Sequence, residues 1–262
     1  MPFIKSFSLH TDKTNPFPFN IPAVKFAKDI SLSPDVTIFI GDNGSGKSTL
    51  LESIAYKLNI PLIGGHIDRH ASFEAAAMLQ PYLELEWKRE TKKGFFFRAE
   101  DFSDFVNAID RLQQSRAAGL SDLRGEVPDA IIEQMSSSMN YLLQESRKLY
   151  GDNMQAYSHG EAYLTILQTR IKDKGIYMLD EPEAALSPLK QLALMSFIME
   201  VLKDNNAQFI IATHSPILMG LPGALLYEIQ EEGMEQVAYK ETSHYRITKT
   251  FLDNPEYYLR HM

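Results

Sequence analysis

The chain has no cysteine among its 262 residues. This excludes disulfides, thiolate zinc sites, iron–sulfur clusters and cysteine nucleophiles together. It also lacks a long apolar run. Its greasiest stretch, Ile217 to Tyr227, is broken by Gly220, Pro222 and Gly223, so it is too short and too interrupted to cross a bilayer as one helix. The opening residues show no basic segment leading into an unbroken apolar one, so no secretion signal is expected. A soluble, cytoplasmic chain without direct membrane insertion is the expectation. Positive charge is in deficit: 26 Lys and Arg stand against 34 Asp and Glu, a net −8. A chain-wide polyanion-binding surface is therefore disfavoured, and a nucleic-acid role would need a local patch. Arg69, His70, Lys88, Arg89, Lys92 and Lys93 are the candidates for one, with solvated surface as the competing use. Internal repeats and low-complexity tracts are absent too.

What is present is an α/β rhythm. Val36 to Ile40 is a β-branched and aromatic run ending in glycine, which predicts a buried strand. Ser48 to Leu58 predicts a helix with Leu50, Leu51, Ile54, Ala55 and Leu58 on one face. Gly94 to Arg98, Ile176 to Leu179 and Gln208 to Ala212 predict further strands. Ser187-Pro188 resembles a cap followed by a first-turn proline, opening a helix with Leu192, Met195, Ile198, Met199 and Leu202 at helical spacing. Leu225 to Gln230 and Met234 to Lys240 flank a hairpin turn at Glu231-Glu232-Gly233. Strand, helix, strand at this spacing argues for a mostly parallel sheet. Phe102 to Tyr150 differs in texture: two or three helical stretches are broken at Gly119, Gly125 and Pro128, which predicts a small helical subdomain.

The strongest chemical signal is Gly41-Asp42-Asn43-Gly44-Ser45-Gly46-Lys47-Ser48-Thr49, which fits G-x-x-x-x-G-K-[ST] between a strand and a helix. In that context the pattern is a phosphate-binding loop. Backbone N–H groups from Asn43 to Thr49 would cradle phosphate oxygens, helped by the helix N-terminus. Lys47 would reach the β- and γ-phosphates, and the Ser48 hydroxyl would ligate magnesium. Asp180 and Glu181 end the apolar run from Ile176. A strand-end acid beside such a loop suits a magnesium-orienting carboxylate, here Asp180. Glu181, one residue on, suits a general base toward water. Ser158-His159-Gly160-Glu161 precedes a helical run, and Thr213-His214-Ser215 follows the strand ending at Ala212.

These four elements in this order resemble the ABC-type ATPases, with Walker A at Gly41 to Thr49, the signature at Ser158 to Glu161, and Walker B ending at Asp180-Glu181. The intervals from Ser158 to Asp180 and from Asp180 to His214 are similar to that family's. Glu183 and Ser187 stand where transport ATPases more often carry Thr or Ser and Asp respectively. The segment from Asp180 to Pro188 thus resembles compact stand-alone bacterial ATPases of the SMC/RecF-like, repair and defence-associated branch. The resemblance implies an α/β P-loop NTPase fold, an ABC-ATPase head with a mostly parallel central sheet, antiparallel β elements and a small helical subdomain. It implies one domain over 1–262, with the helical insert at approximately 101–159. Too few residues separate Thr49 from Ser158 for long coiled-coil arms.

The resemblance further implies an ATPase using ATP and Mg2+. An ATP-dependent homodimer would bring Ser158, Gly160 and Glu161 of one subunit to the nucleotide on the other, and His214 would contact the γ-phosphate or the attacking water. Hydrolysis would gate or power an unidentified protein partner, in DNA repair or phage defence. Where the family has a glutamine near magnesium, this chain offers Glu100, with Gln80 as a competitor. Phe17 and Phe19 are candidates to stack on adenine. Two alternatives stay open: the ATP-binding subunit of a membrane transporter, and a nucleotide sensor without turnover in a defence or toxin complex.

Overall fold

The computed structural model describes residues 2–63, 73–101, 159–171, 174–203 and 207–260. In chain order the elements are β1 (Ile4–Leu9), α1 (Pro22–Lys25), β2 (Ile30–Ser31), β3 (Val36–Gly41), α2 (Lys47–Leu58), β4 (Leu62–Ile63), α3 (Glu74–Leu79), β5 (Leu83–Trp87) and β6 (Gly94–Arg98). Then come α4 (His159–Arg170), β7 (Gly175–Asp180), α5 (Pro188–Lys203), β8 (Ala207–Ala212), α6 (Pro216–Met219), β9 (Leu225–Gln230), β10 (Gly233–Val237), α7 (Ser243–Asp253) and α8 (Glu256–Leu259). The expected helical insert lies outside the described residues apart from its ends.

Two sheets organise the chain. A seven-stranded sheet runs β10-β9-β3-β8-β7-β6-β4, and a three-stranded antiparallel sheet runs β2-β1-β5. In the larger sheet every pairing is parallel except the β9–β10 hairpin. Strands β3, β7 and β8 are buried at all six positions, because helices or the second sheet cover both faces.

Period-two alternation divides the side chains between two cores. Phe39, Phe96, Met178 and Ile210 point toward α2 and the antiparallel sheet, where they meet Phe7, Leu50, Leu51 and Ile54. Ile38, Ile40, Phe95, Phe97, Tyr177, Leu179, Phe209 and Ile211 point the other way, toward Tyr163 and Leu167 of α4 and Leu194 and Ile198 of α5. The α2 face expected from sequence is the buried one.

On α5 the structure corrects the expected face. Gln191, Leu194 and Ile198 are buried, whereas Leu192 and Met199 are 52% and 42% exposed. The helix carries apolar residues around its whole circumference, so periodicity alone could not choose a side. Gln191 chooses it: its amide donates to Leu186 O at 3.0 Å and accepts from Ser215 Oγ at 2.5 Å.

A second buried amide joins the two sheets. Gln208 on β8 accepts from Phe3 N and Ile4 N at 2.9 and 2.8 Å. It donates to Ile4 O and Leu32 O at 2.9 and 2.7 Å. Gln208→Leu would strand four buried backbone groups, at a net cost of about 1 kcal/mol each. The expected result is a thermal midpoint lower by roughly 10 °C, read by circular dichroism; an unchanged midpoint would refute the bridging role.

Candidate active site

The site forms at the C-terminal edge of the parallel strands. The register aligns Phe39 of β3 with Ala212 of β8, Ala212 with Asp180 of β7, and Asp180 with Arg98 of β6. The loops after β3, β7 and β8 therefore leave the sheet side by side, where open α/β sheets carry their ligands.

The loop after β3 holds its shape through two glycines. Gly44 and Gly46 have φ of 83° and 94°, a region L side chains rarely adopt. A Cβ on Gly46 would also meet Ile21 Cδ1 at 2.7 Å. Ser45 N closes the turn on Asp42 O at 3.1 Å, and Ser45 O accepts from Ala23 N at 3.0 Å, so the first turn of α1 braces the loop. Asp42, Asn43 and Gly44 stay exposed, while Ser45 and Lys47 are buried. The Lys47 ammonium folds back onto Gly41 O and Asp42 O at 2.9 and 3.0 Å. Burial lowers its pKa, opposed by the carboxylates of Glu181, Asp180, Asp42 and Glu183. Ser48 and Thr49 lie in the first turn of α2, where helix N–H groups lack intrahelical partners.

Asp180 is 5% exposed. Burial pushes its carboxyl up to about 6, against a hydrogen bond from Ser48. Its Oδ1 is buried with no hydrogen-bond partner. A buried carboxylate oxygen without a partner is costly, and here it stands next to a hydroxyl. Two hard oxygen donors of this kind suit Mg2+, which takes few protein ligands and completes its shell with water and phosphate. No cluster of three His, Asp or Glu suited to a metal occurs among the described residues.

Glu181 adopts φ 48°, a left-handed conformation uncommon for a residue with a Cβ and found disproportionately at functional sites. Its N–H donates to Ala212 O at 2.9 Å, and the twist aims the side chain across β8. There Glu181 Oε1 lies 3.4 Å from His214 Nε2. Glu183, held above its usual pKa by burial, accepts from His214 N at 2.5 Å and so pins the loop that carries the histidine. Ser215 caps α6 by accepting from Ile217 N and Leu218 N.

Thus Lys47, Ser48, Asp180, Glu181 and His214 come together. Glu100 sits just past β6, largely exposed and paired with Arg98. Gln80 lies toward the far end of α2, where its carbonyl accepts from Lys57 Nζ at 3.2 Å. Gly160 and Glu161 occupy the first turn of α4, and Ser158 lies outside the described residues. Phe19 is a core residue, edge-on to Tyr82; Phe17 is exposed on the segment leading to Ile21. Lys88, Arg89, Lys92 and Lys93 precede β6, at the opposite end of the strand from Arg98. Arg69 and His70 lie outside the described residues.

Sequence reasoning missed Arg98, Glu52 and His244. Arg98 ends an apolar strand as Asp180 does, and that shared pattern could have flagged it. It pairs with Glu52 Oε1 at 2.6 Å and also contacts Glu100 and Asp101. Glu52 is pushed up to about 7, mainly by burial and despite Arg98. Its folded pKa exceeds the unfolded one, so the native state retains a proton that the unfolded chain releases, and stability falls as pH rises from 4.5 to 7. Glu52→Gln should flatten that part of the stability profile, measured by urea denaturation at pH 5 and pH 7. An unchanged slope would count against it.

Comparison with known proteins agrees with this geometry. Residues 85–220 match the family described as "AAA domain, putative AbiEii toxin, Type IV TA system", and residues 19–59 match an AAA domain. Protein ea59 of Escherichia phage lambda is 24% identical, covering 87% of this chain; the chain spans only 55% of that protein's length. A "Putative ABC transporter ATP-binding protein" of Methanosarcina acetivorans is 31% identical, covering 71% of this chain and 67% of its own. Among solved structures, the Smc head domain from Pyrococcus furiosus aligns over 97% of this chain and 99% of its own, with 15% identity and a TM-score of 0.47. With a phosphate loop, a strand-end acid pair and a strand-end histidine on one sheet edge, and with the family match over residues 85–220 and the 31% identical Methanosarcina relative, the chain belongs to the AAA/ABC-type family of P-loop ATPases.

Proposed function

We propose that this chain is a magnesium-dependent ATPase that closes head to tail on a second copy around ATP and uses the cycle to gate or drive a partner protein. The observation that carries the reading is the buried, partnerless Asp180 Oδ1 beside the Ser48 hydroxyl, one residue from Glu181. Asn43, Gly44, Ser45, Gly46, Lys47, Ser48 and Thr49 cradle the phosphates; Asp180 and Ser48 hold the metal. Magnesium, when bound, neutralises charge on the β- and γ-phosphates. Glu181 accepts the proton of the attacking water, and His214 orients that water or the γ-phosphate. Glu100, in the helical turn that follows β6, would meet the metal or its water where the family has a glutamine. Ser158, Gly160 and Glu161 offer the N-terminus of α4 to the nucleotide on the partner copy.

Sedimentation of Glu181→Gln with and without MgATP tests this. A dimer that appears only with MgATP supports the reading, and a monomer under both conditions removes the head-to-tail closure. The family includes transporter ATP-binding proteins, such as the Methanosarcina relative. Turnover by the isolated chain separates the ATPase reading from that of a sensor that binds without hydrolysing.

A further inference from the structure

We propose that His244 is a positioning residue for His214, anchored by the buried carboxylate of Glu228, so that helix α7 sets the orientation of the strand-end histidine. The inference rests on the ATPase reading above for its kinetic consequence, though not for its geometry.

The chain of contacts begins on β9. Glu228 pairs in register with Ile40, one residue before the phosphate loop, and is 6% exposed. After the β9–β10 hairpin the chain returns, Thr242 caps α7 by accepting from Tyr245 N at 3.3 Å, and Ser243 meets Glu228. Both the N–H and the hydroxyl of Ser243 donate to Glu228 Oε1, at 3.0 and 2.5 Å. This anchor fixes the next residue, and His244 Nε2 lies 3.2 Å from His214 Nδ1. The rings tilt at 52° with centroids 5.3 Å apart.

Among the described residues, Glu183 holds the His214 backbone N–H. Its Nε2 has no hydrogen-bond partner and lies beside Glu181. The ring contact with His244 at Nδ1 thus opposes rotation of the imidazole about χ2 and helps select which nitrogen carries the proton, since the hydrogen bond at one ring nitrogen dictates the state of the other. Burial lowers the pKa of both rings, which favours the neutral forms in which such a choice exists. The composition of α7 gives the sequence no way to announce this: His244 approaches His214 only because the hairpin folds back.

The full-length chain carrying His244→Phe, His244→Gln or neither is compared in two ways. Steady-state MgATP hydrolysis should show kcat lowered about 10- to 100-fold in His244→Phe, the range for groups that orient a site residue. The KM for ATP should stay within about twofold, as expected when an interaction made only in the transition state is lost. His244→Gln, whose amide can reach the same nitrogen, should restore most of kcat. In parallel, ring 15N NMR shifts of His214 should report one dominant tautomer in the unsubstituted chain and averaged values in His244→Phe. If the unsubstituted chain already shows averaging, or His244→Phe leaves the His214 shifts unchanged, the proposal falls, whether or not ATP is hydrolysed. A KM rise with kcat unchanged would also overturn it. If no variant or unsubstituted chain hydrolyses ATP, the ATPase reading fails while the NMR comparison still decides the positioning role.

Discussion

Lys47→Ala is expected to abolish measurable ATP binding while leaving the chain folded. The ammonium donates to Gly41 O and Asp42 O, so the lysine holds its charge against its own loop. Four carboxylates surround it, and it is the cation they leave available to offset a triphosphate. Exchanging those two neutral carbonyls for phosphate oxygens makes charge-assisted hydrogen bonds worth about 1.5–3 kcal/mol each. Losing even one weakens binding about 10- to 150-fold. Because the substitution also frees two carbonyls, Lys47→Met, which keeps the aliphatic stem, is the companion variant. Circular dichroism should show both variants folded, and calorimetric titration should show both blind to ATP. An unchanged affinity in folded Lys47→Met would refute the cradle.

Glu181→Gln should bind MgATP and hydrolyse it about 10²–10⁴-fold more slowly, the typical loss for a general base. The amide keeps the shape and the contact with the His214 loop but cannot accept the water's proton. Its left-handed backbone is a cost the fold bears to aim this side chain, and the substitution leaves that backbone untouched. Loss of rate should therefore come without loss of stability. Single-turnover phosphate release, with thermal unfolding as the control, separates the two, and near-normal release would remove Glu181 from the base role.

Much of this was legible in the residues. β3, β7 and β8 are buried on both faces, so they appear as unbroken apolar runs, and the chemistry sits where those runs stop: Gly41, Asp180 and Thr213-His214. The phosphate loop was legible because glycine is demanded by its backbone, not merely tolerated. The face of α5 was not, since its apolar residues surround the helix and a buried glutamine made the choice. Glu52 and His244 were invisible for a related reason, whereas Arg98 carried a local sign as the charged end of an apolar strand. Each gains its role from a partner far away in sequence, and no local period encodes a contact made across a sheet or after a hairpin.

The edge formed by Lys47, Ser48, Asp180 and Glu181 is proposed to hydrolyse MgATP. Steady-state phosphate release by the purified chain, run beside Lys47→Met and without magnesium, tests it most directly. Multiple turnovers are expected, disappearing in the variant and in the absence of magnesium. Phosphate release by the unsubstituted chain no faster than by Lys47→Met would contradict it.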